Sequence, residues 1–141
     1  MPHVVVLYSA NLEGPDLADM GTFCRRAADA LLTVRDEGDR QVFPTGGVRV
    51  LAYPTPHFAV ADTGDGSGDF GFIYVQLRMG RGRSAAVHLA AGQALSEAAR
   101  LHFAPLLARR KLGLTVQVDE GSEVFDAKLG NLHPLFNKAP P

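Results

Sequence analysis

The sequence predicts a two-layer α+β sandwich of two successive strand–helix–strand units, a four-stranded sheet with both helices on one face. Three observations carry this expectation. Short β-branched or aromatic runs alternate twice with segments whose apolar residues recur every three or four positions. A strand, a crossover helix and a parallel strand join in a right-handed unit almost obligatorily, so each half yields a parallel pair with a helix packed on one face. The last strand, "LGLTVQVDE", alternates apolar and polar residues, as a half-solvated strand does.

Taken in order, His3 to Tyr8 is a β-branched run of strand length, and the loop "SANLEGPD" follows it. From Asp16 to about Val34, Leu17, Met20, Cys24, Ala27, Leu31 and Val34 line one helical face, with Asp19, Arg25, Arg26 and Asp29 elsewhere on the wheel. After the charged stretch "RDEGDRQ" comes a second strand, "GGVRVLAY", broken by Pro54 and Pro56, which suggest a bend or an edge, before "HFAVA" resumes extended character. "DTGDGSGD" is a turn whose aspartates lack the spacing and closing glutamate of a calcium loop. "FGFIYVQLRM" is the third strand. Ser84 can cap a long second helix carrying Val87, Ala91, Ala94, Ala98 and Leu101, which Pro105 should kink or end. The chain 1–141 is expected to be a single domain, with units over about 2–62 and 69–120 and a C-terminal arm, "GNLHPLFNK". A sheet covered on one face only tends to bury the other against a neighbouring subunit, so the chain should oligomerise, with the arm as one contact.

Composition excludes several classes of function. A formal net charge of −1 with both signs scattered gives no global case for nucleic acid or an anionic membrane. The single cysteine, Cys24, allows no internal disulfide, fits a reducing cytoplasm and reads as core packing. The first apolar run has no basic flank and is far short of the roughly 20 residues that span a bilayer. His3, His57, His88, His102 and His133 include no pair at metal-ligand spacing, so no metal is indicated. "GSG" lacks the strand-to-helix setting of a nucleophile elbow, and no histidine lies near Cys24 in sequence.

Two stretches remain. In "MPH", removal of Met1 would leave Pro2 with a free secondary amine, a group able to act as a base, although proline is also simply a good strand starter. In "LRMGRGRSAAV", Arg78, Arg81 and Arg83 sit between a strand end and a helix start. Free N–H groups flanked by guanidinium forks suit a carboxylate, whereas the glycine spacing matches neither a dinucleotide fold nor a P-loop.

"MPH" before an apolar strand, "FPTGGVRV", "GRGRS" after a strand, "HFAPLL" late in the second helix and "NLHPLFNK" near the end occur in this order over nearly the whole chain. Together they resemble the 5-carboxymethyl-2-hydroxymuconate Δ-isomerases of the tautomerase superfamily. The resemblance implies a mixed four-stranded sheet and a cytoplasmic, cofactor-independent homotrimer. It implies an isomerase that ketonises an unsaturated polycarboxylate in homoprotocatechuate (aromatic) catabolism, by moving a proton from a 2-hydroxyl to a carbon. Residue by residue, it implies Pro2 as the catalytic base and Arg49 and Arg83 as substrate-binding residues; Arg78 and Arg81 fall outside the match. Another tautomerase activity on a different enol or keto acid, or a non-catalytic trimeric protein that binds small anions, is the alternative. The sequence departs from the family pattern in longer connections at "RDEGDRQ" and "DTGDGSGD", at the expected rim of the pocket.

An unperturbed α-amino group titrates near 7.7–8.0 and a prolyl amine somewhat higher, so such a base must be depressed to work at neutral pH. Burial and nearby guanidinium groups both push in that direction.

Overall fold

The computed structural model of the chain describes residues 2–66 and 68–136. Four strands, β1 (His3–Ser9), β2 (Arg49–Thr55), β3 (Phe70–Met79) and β4 (Lys111–Glu120), form one sheet in the order β2-β1-β3-β4. β1 pairs in parallel with β2 and β3 in parallel with β4, while β1 and β3, which join the two units, are antiparallel. The mixed sheet expected from the sequence is therefore present, and the two long helices, α1 (Met20–Leu32) and α2 (Ala85–Arg109), supply the other layer. Neither is long and apolar enough to cross a membrane.

The core lies between the layers. Val4 and Val6 of β1 and Ile73, Val75, Leu77 and Met79 of β3 point to the helices and are buried, as the two-residue strand period requires. They meet Phe23, Ala27 and Leu31 of α1 and Ala91, Leu95, Ala99, Phe103 and Leu106 of α2. Phe23 and Phe103 pack at 4.7 Å between ring centroids, joining the helices to each other. Alternate residues face away from the helices, and Leu51, Tyr53 and Tyr74 stand exposed there. That is the uncovered apolar face the sequence implied.

Several local expectations are corrected. α1 begins at Met20 and not at Asp16, because Asp19 adopts a left-handed conformation (φ 45°) and its carboxylate accepts the Thr22 N–H. Its buried stripe runs through Phe23, so Cys24 is only half-buried, with burial pushing its thiol pKa up. On α2 the buried line is Val87, Ala91, Leu95, Ala99, Phe103 and Leu106, and Leu101 stands out in solvent. The helix is apolar on more than one side, and the line holding Leu95 and Phe103 has more surface to bury.

Pro105 does not end α2, which continues to Arg109. Its ring lies on the solvent side, and the carbonyl that loses its helical partner there can be solvated, while Phe103 and Leu106 on either side are fixed in the core. Pro54 does not break β2 either. β2 is an edge strand that tolerates a missing donor, and Thr55 Oγ1 donates to the Tyr8 carbonyl (3.0 Å) to fasten the strand end. Residues 57–61 form no strand. Ser84 does cap α2, its hydroxyl accepting the Val87 N–H (3.2 Å).

Beyond β4 the chain returns across the sheet edge and ends, among the described residues, in a short helix, α3 (His133–Phe136). It rests on Gly46 and Gly47 of the same chain. A Cβ on Gly46 would lie 2.5 Å from the Phe136 ring, and Gly46 has φ +79°, so this position needs glycine both for its backbone and for the ring above it.

Because Phe103 joins both helices to the sheet, Phe103→Ala should cost about 3–5 kcal/mol. Denaturant unfolding followed by circular dichroism should show a lower midpoint with an unchanged slope.

Candidate functional site

The first residues of β1 and β2 and the penultimate residue of β3 form one row across the sheet. His3 is in register with Arg49 on one side and with Arg78 on the other, and Arg78 is in register with Asp119 of β4. Their side chains share the open face, since Val4, Val50 and Leu77 turn toward the helices. Two arginines thus flank a histidine at one end of the strands.

Pro2 precedes this row and is buried. Its carbonyl accepts the Arg49 N–H at 3.4 Å, which continues the β1–β2 ladder by one step. The structure therefore brings Pro2 and Arg49 together. Arg83 is set apart. Its guanidinium lies 5.2 Å from the Phe43 ring centroid, and Nη1 donates to the Gly80 carbonyl (3.0 Å). Gly80 is the partition between them, because it lines the cavity holding Arg49 and Arg78 while Arg83 faces a neighbouring cleft. Arg81 Nε donates to the Gly121 carbonyl (3.1 Å), fastening the turn after β3 to the end of β4.

The cavity measures about 480 Å³ and is walled by the His3–Arg49–Arg78 row, by Met79 and Gly80, and by residues from Glu123 to His133 of the C-terminal segment. Of the expected arm, "GNLHPLFNK", Gly130 to His133 lie along this wall, and residues 137–138 lie outside the described residues. The segment's acidic groups meet basic ones. Glu123 lies 3.6 Å from the Arg78 guanidinium, and Lys128 hydrogen-bonds Asp126, holding that carboxyl below the usual range with a smaller contribution from His3. Hydrophobic side chains of the same segment, Val124, Phe125 and Leu129, stay exposed.

The cleft at Arg83 owes its shape to the longer connection at "RDEGDRQ". Asp36 accepts the Gly38 and Arg40 N–H groups (2.9 and 3.0 Å) and the Arg40 Nε (3.0 Å), and these bonds hold its carboxyl below the usual range. Glu37 accepts the Ser84 hydroxyl, which lowers its carboxyl too, so the loop is tied to the α2 cap beside Arg83.

Arg78 stood out in the basic stretch but fell outside the family match, and nothing in the sequence pointed to a place for His3 or Glu123 in the cavity. Arg78 shares a strand face with Phe72, Tyr74 and Gln76, a visible alternation, but its place beside Arg49 follows only from the register of both strands on β1. Among the described residues, no group of three or more His, Cys, Asp or Glu side chains is placed to hold a metal ion.

Comparison with known proteins gives this geometry its context. Residues 2–136 match the family model described as 5-carboxymethyl-2-hydroxymuconate isomerase. The chain is 29% identical over 136 residues to the 5-carboxymethyl-2-hydroxymuconate Delta-isomerase of Escherichia coli, covering 96% of this chain and 99% of that one. A crystal structure of a 5-carboxymethyl-2-hydroxymuconate delta-isomerase superposes with a TM-score of 0.91 at 58% identity, over 100% of this chain and 96% of its own. The 5-carboxymethyl-2-hydroxymuconate isomerase from Deinococcus radiodurans R1 superposes with a TM-score of 0.80 at 32% identity, over 97% and 95%. A match this continuous, spanning both strand–helix–strand units and the C-terminal segment, means that the chain belongs to the 5-carboxymethyl-2-hydroxymuconate isomerase family.

Proposed function

We propose that this chain, an isomerase by family, ketonises 5-carboxymethyl-2-hydroxymuconate, with the amine of Pro2 as base and Arg49 and Arg83 as carboxylate-binding groups. The observation that supports this most directly is the Arg49 N–H bound to the Pro2 carbonyl, which ties the residue that removal of Met1 would expose to the backbone of an arginine lining the cavity. Removal of Met1 converts the Pro2 nitrogen from an amide into a secondary amine. The amine takes the proton of the 2-hydroxyl, the oxygen's electrons form the C2 carbonyl, and the conjugated double bonds shift along the chain. The prolinium then returns the proton to the carbon that has gained electron density. No electron is lost or gained overall, and no cofactor is required.

The arginines serve two ends. They hold carboxylates through charge-assisted bonds, and they stabilise the dienolate that exists between the two proton transfers. Burial of Pro2 disfavours the ammonium, and the Arg49 guanidinium, brought near the amine, would repel a proton from it, so both push the base toward the neutral form.

The reading includes a cytoplasmic homotrimer. The assembly is supported by the uncovered sheet face with Leu51, Tyr53 and Tyr74, and by the exposed Val124, Phe125 and Leu129 of the C-terminal segment, apolar side chains that a neighbouring subunit would cover.

Four outcomes are expected. The pH profile of kcat/KM should rise through an ionisation below that of a free amine, near 7.7–8.0. Pro2→Ala should lose most activity yet keep some, because a primary amine can still accept a proton, whereas one extra residue retained ahead of Pro2 should abolish turnover. Normal turnover by that extended protein would rule out the amine as base. Arg83→Ala should lower kcat/KM tenfold to a hundredfold, the loss of a charge-assisted contact of roughly 1.5–3 kcal/mol, and unchanged kinetics would return Arg83 to a purely structural role. Light scattering at micromolar concentration should give three times the chain mass, and a monomer would refute the assembly.

A further inference from the structure

Arg78 lies outside the motif that points to Arg49 and Arg83, yet it stands in the same row and lines the same cavity as Arg49. The two arginines flank β1, so their Cα atoms are two strand spacings, about 10 Å, apart, and both side chains project from the open face. Two guanidinium groups at that separation can hold two carboxylates of one extended, unsaturated acid without competing for the same one. The carboxylates already facing Arg78 are Asp119, in register on β4, and Glu123, from the segment that closes the cavity. The Glu123 contact is long for an ion pair, 3.6 Å, and 58% of the Arg78 side chain and 41% of the Glu123 side chain are exposed. Such a pair is screened by water and holds its partners weakly. Its geometry is also far from the short bidentate bonds by which arginine binds a carboxylate tightly.

We infer that Arg78 is a second carboxylate-binding residue of this cavity and that Glu123 occupies it until a ligand carboxylate takes its place. This rests on the function proposed above and extends it. A ligand with one carboxylate at Arg49 and another at Arg78 displaces Glu123, so occupation of the cavity is coupled to release of the C-terminal segment at that point. Charge is nearly conserved in the exchange, because one carboxylate replaces another on the same guanidinium. What the ligand gains is the closer, two-pronged contact that Glu123 does not make.

The test is calorimetric titration of the full-length, processed protein with cis,cis-muconate, a stable dicarboxylate that does not turn over. Arg78→Gln should raise Kd roughly tenfold to a hundredfold. Glu123→Gln should lower Kd severalfold by removing the internal competitor, and in the double variant the Glu123 substitution should add nothing. Arg100→Gln, which breaks an exposed pair with Glu97 on the outer side of α2, should leave Kd unchanged. Equal affinity in Arg78→Gln and the parent protein, or no effect of Glu123→Gln, would overturn the inference, as would failure of the parent protein to bind muconate. Turnover of 5-carboxymethyl-2-hydroxymuconate separates this result from the function itself. A protein that turns over substrate but binds muconate equally well without Arg78 keeps the function and loses the inference, and one that binds muconate through Arg78 without turnover does the reverse.

Discussion

The pairing of β1 with both of its neighbours sets the position of the polar groups along the cavity row. β1 lies inside the sheet, parallel to β2 and antiparallel to β3, and its first residue meets the first residue of one and the penultimate residue of the other. Arg49 and Arg78 are far apart in sequence and become neighbours of His3 through this register alone. Because side chains alternate faces, a slip of one residue in either pairing would turn an arginine into the core and carry a valine or leucine out of it.

That register is held by the apolar side of the sheet and not by the polar one. Val4, Val6, Leu77 and Met79 are buried against Phe23, Phe103 and Leu95, and each such side chain contributes about 1.5–3 kcal/mol by leaving water. The exposed ion pairs at the cavity contribute at most about 1 kcal/mol each. α1 and α2 therefore position the cavity from the opposite face of the sheet without lining it. The cavity's ion pairs are thus free to rearrange without threatening the fold.

The sequence made the strand and helix order legible because each segment's periodicity was unambiguous: β-branched runs for β1 and β2, and alternation for β3 and β4. It was less informative where a helix is apolar on several sides, as in α2, whose alanines let Ala94 and Ala98 pass for core positions until the larger Leu95 and Phe103 decide the matter. The proline signals were correct about backbone donors but silent about environment. Pro54 lies on an edge and Pro105 on a wet helix face, where a missing N–H costs little. Pro2, Arg49 and Arg83 were reachable through local motifs. Arg78 stood in the basic stretch too, but its place beside Arg49 did not show there, since no local pattern encodes which residue of a distant strand stands opposite His3. Nor did the sequence reveal that Phe136 would return to cover Gly46, a contact between parts of the chain far apart in sequence.

The electrostatics of the row have a direction in the proposed mechanism. In the resting chain Glu123 already offsets the charge of Arg78, and Lys128 offsets Asp126, while Arg49, whose backbone bonds Pro2, is the guanidinium proposed to act on the amine. Its repulsion favours the neutral amine, the form needed to accept a proton. When a ligand carboxylate binds Arg49, that repulsion is cancelled and a negative charge stands near the amine instead. The proton affinity of Pro2 then rises at the moment the 2-hydroxyl proton is within reach. The amine is kept unprotonated while it waits and becomes a stronger base once the substrate is seated. The same change steadies the prolinium until the proton is delivered to carbon. Product release removes the carboxylates, restores the repulsion and returns the amine to its neutral form. The guanidinium that binds the substrate thereby resets the base.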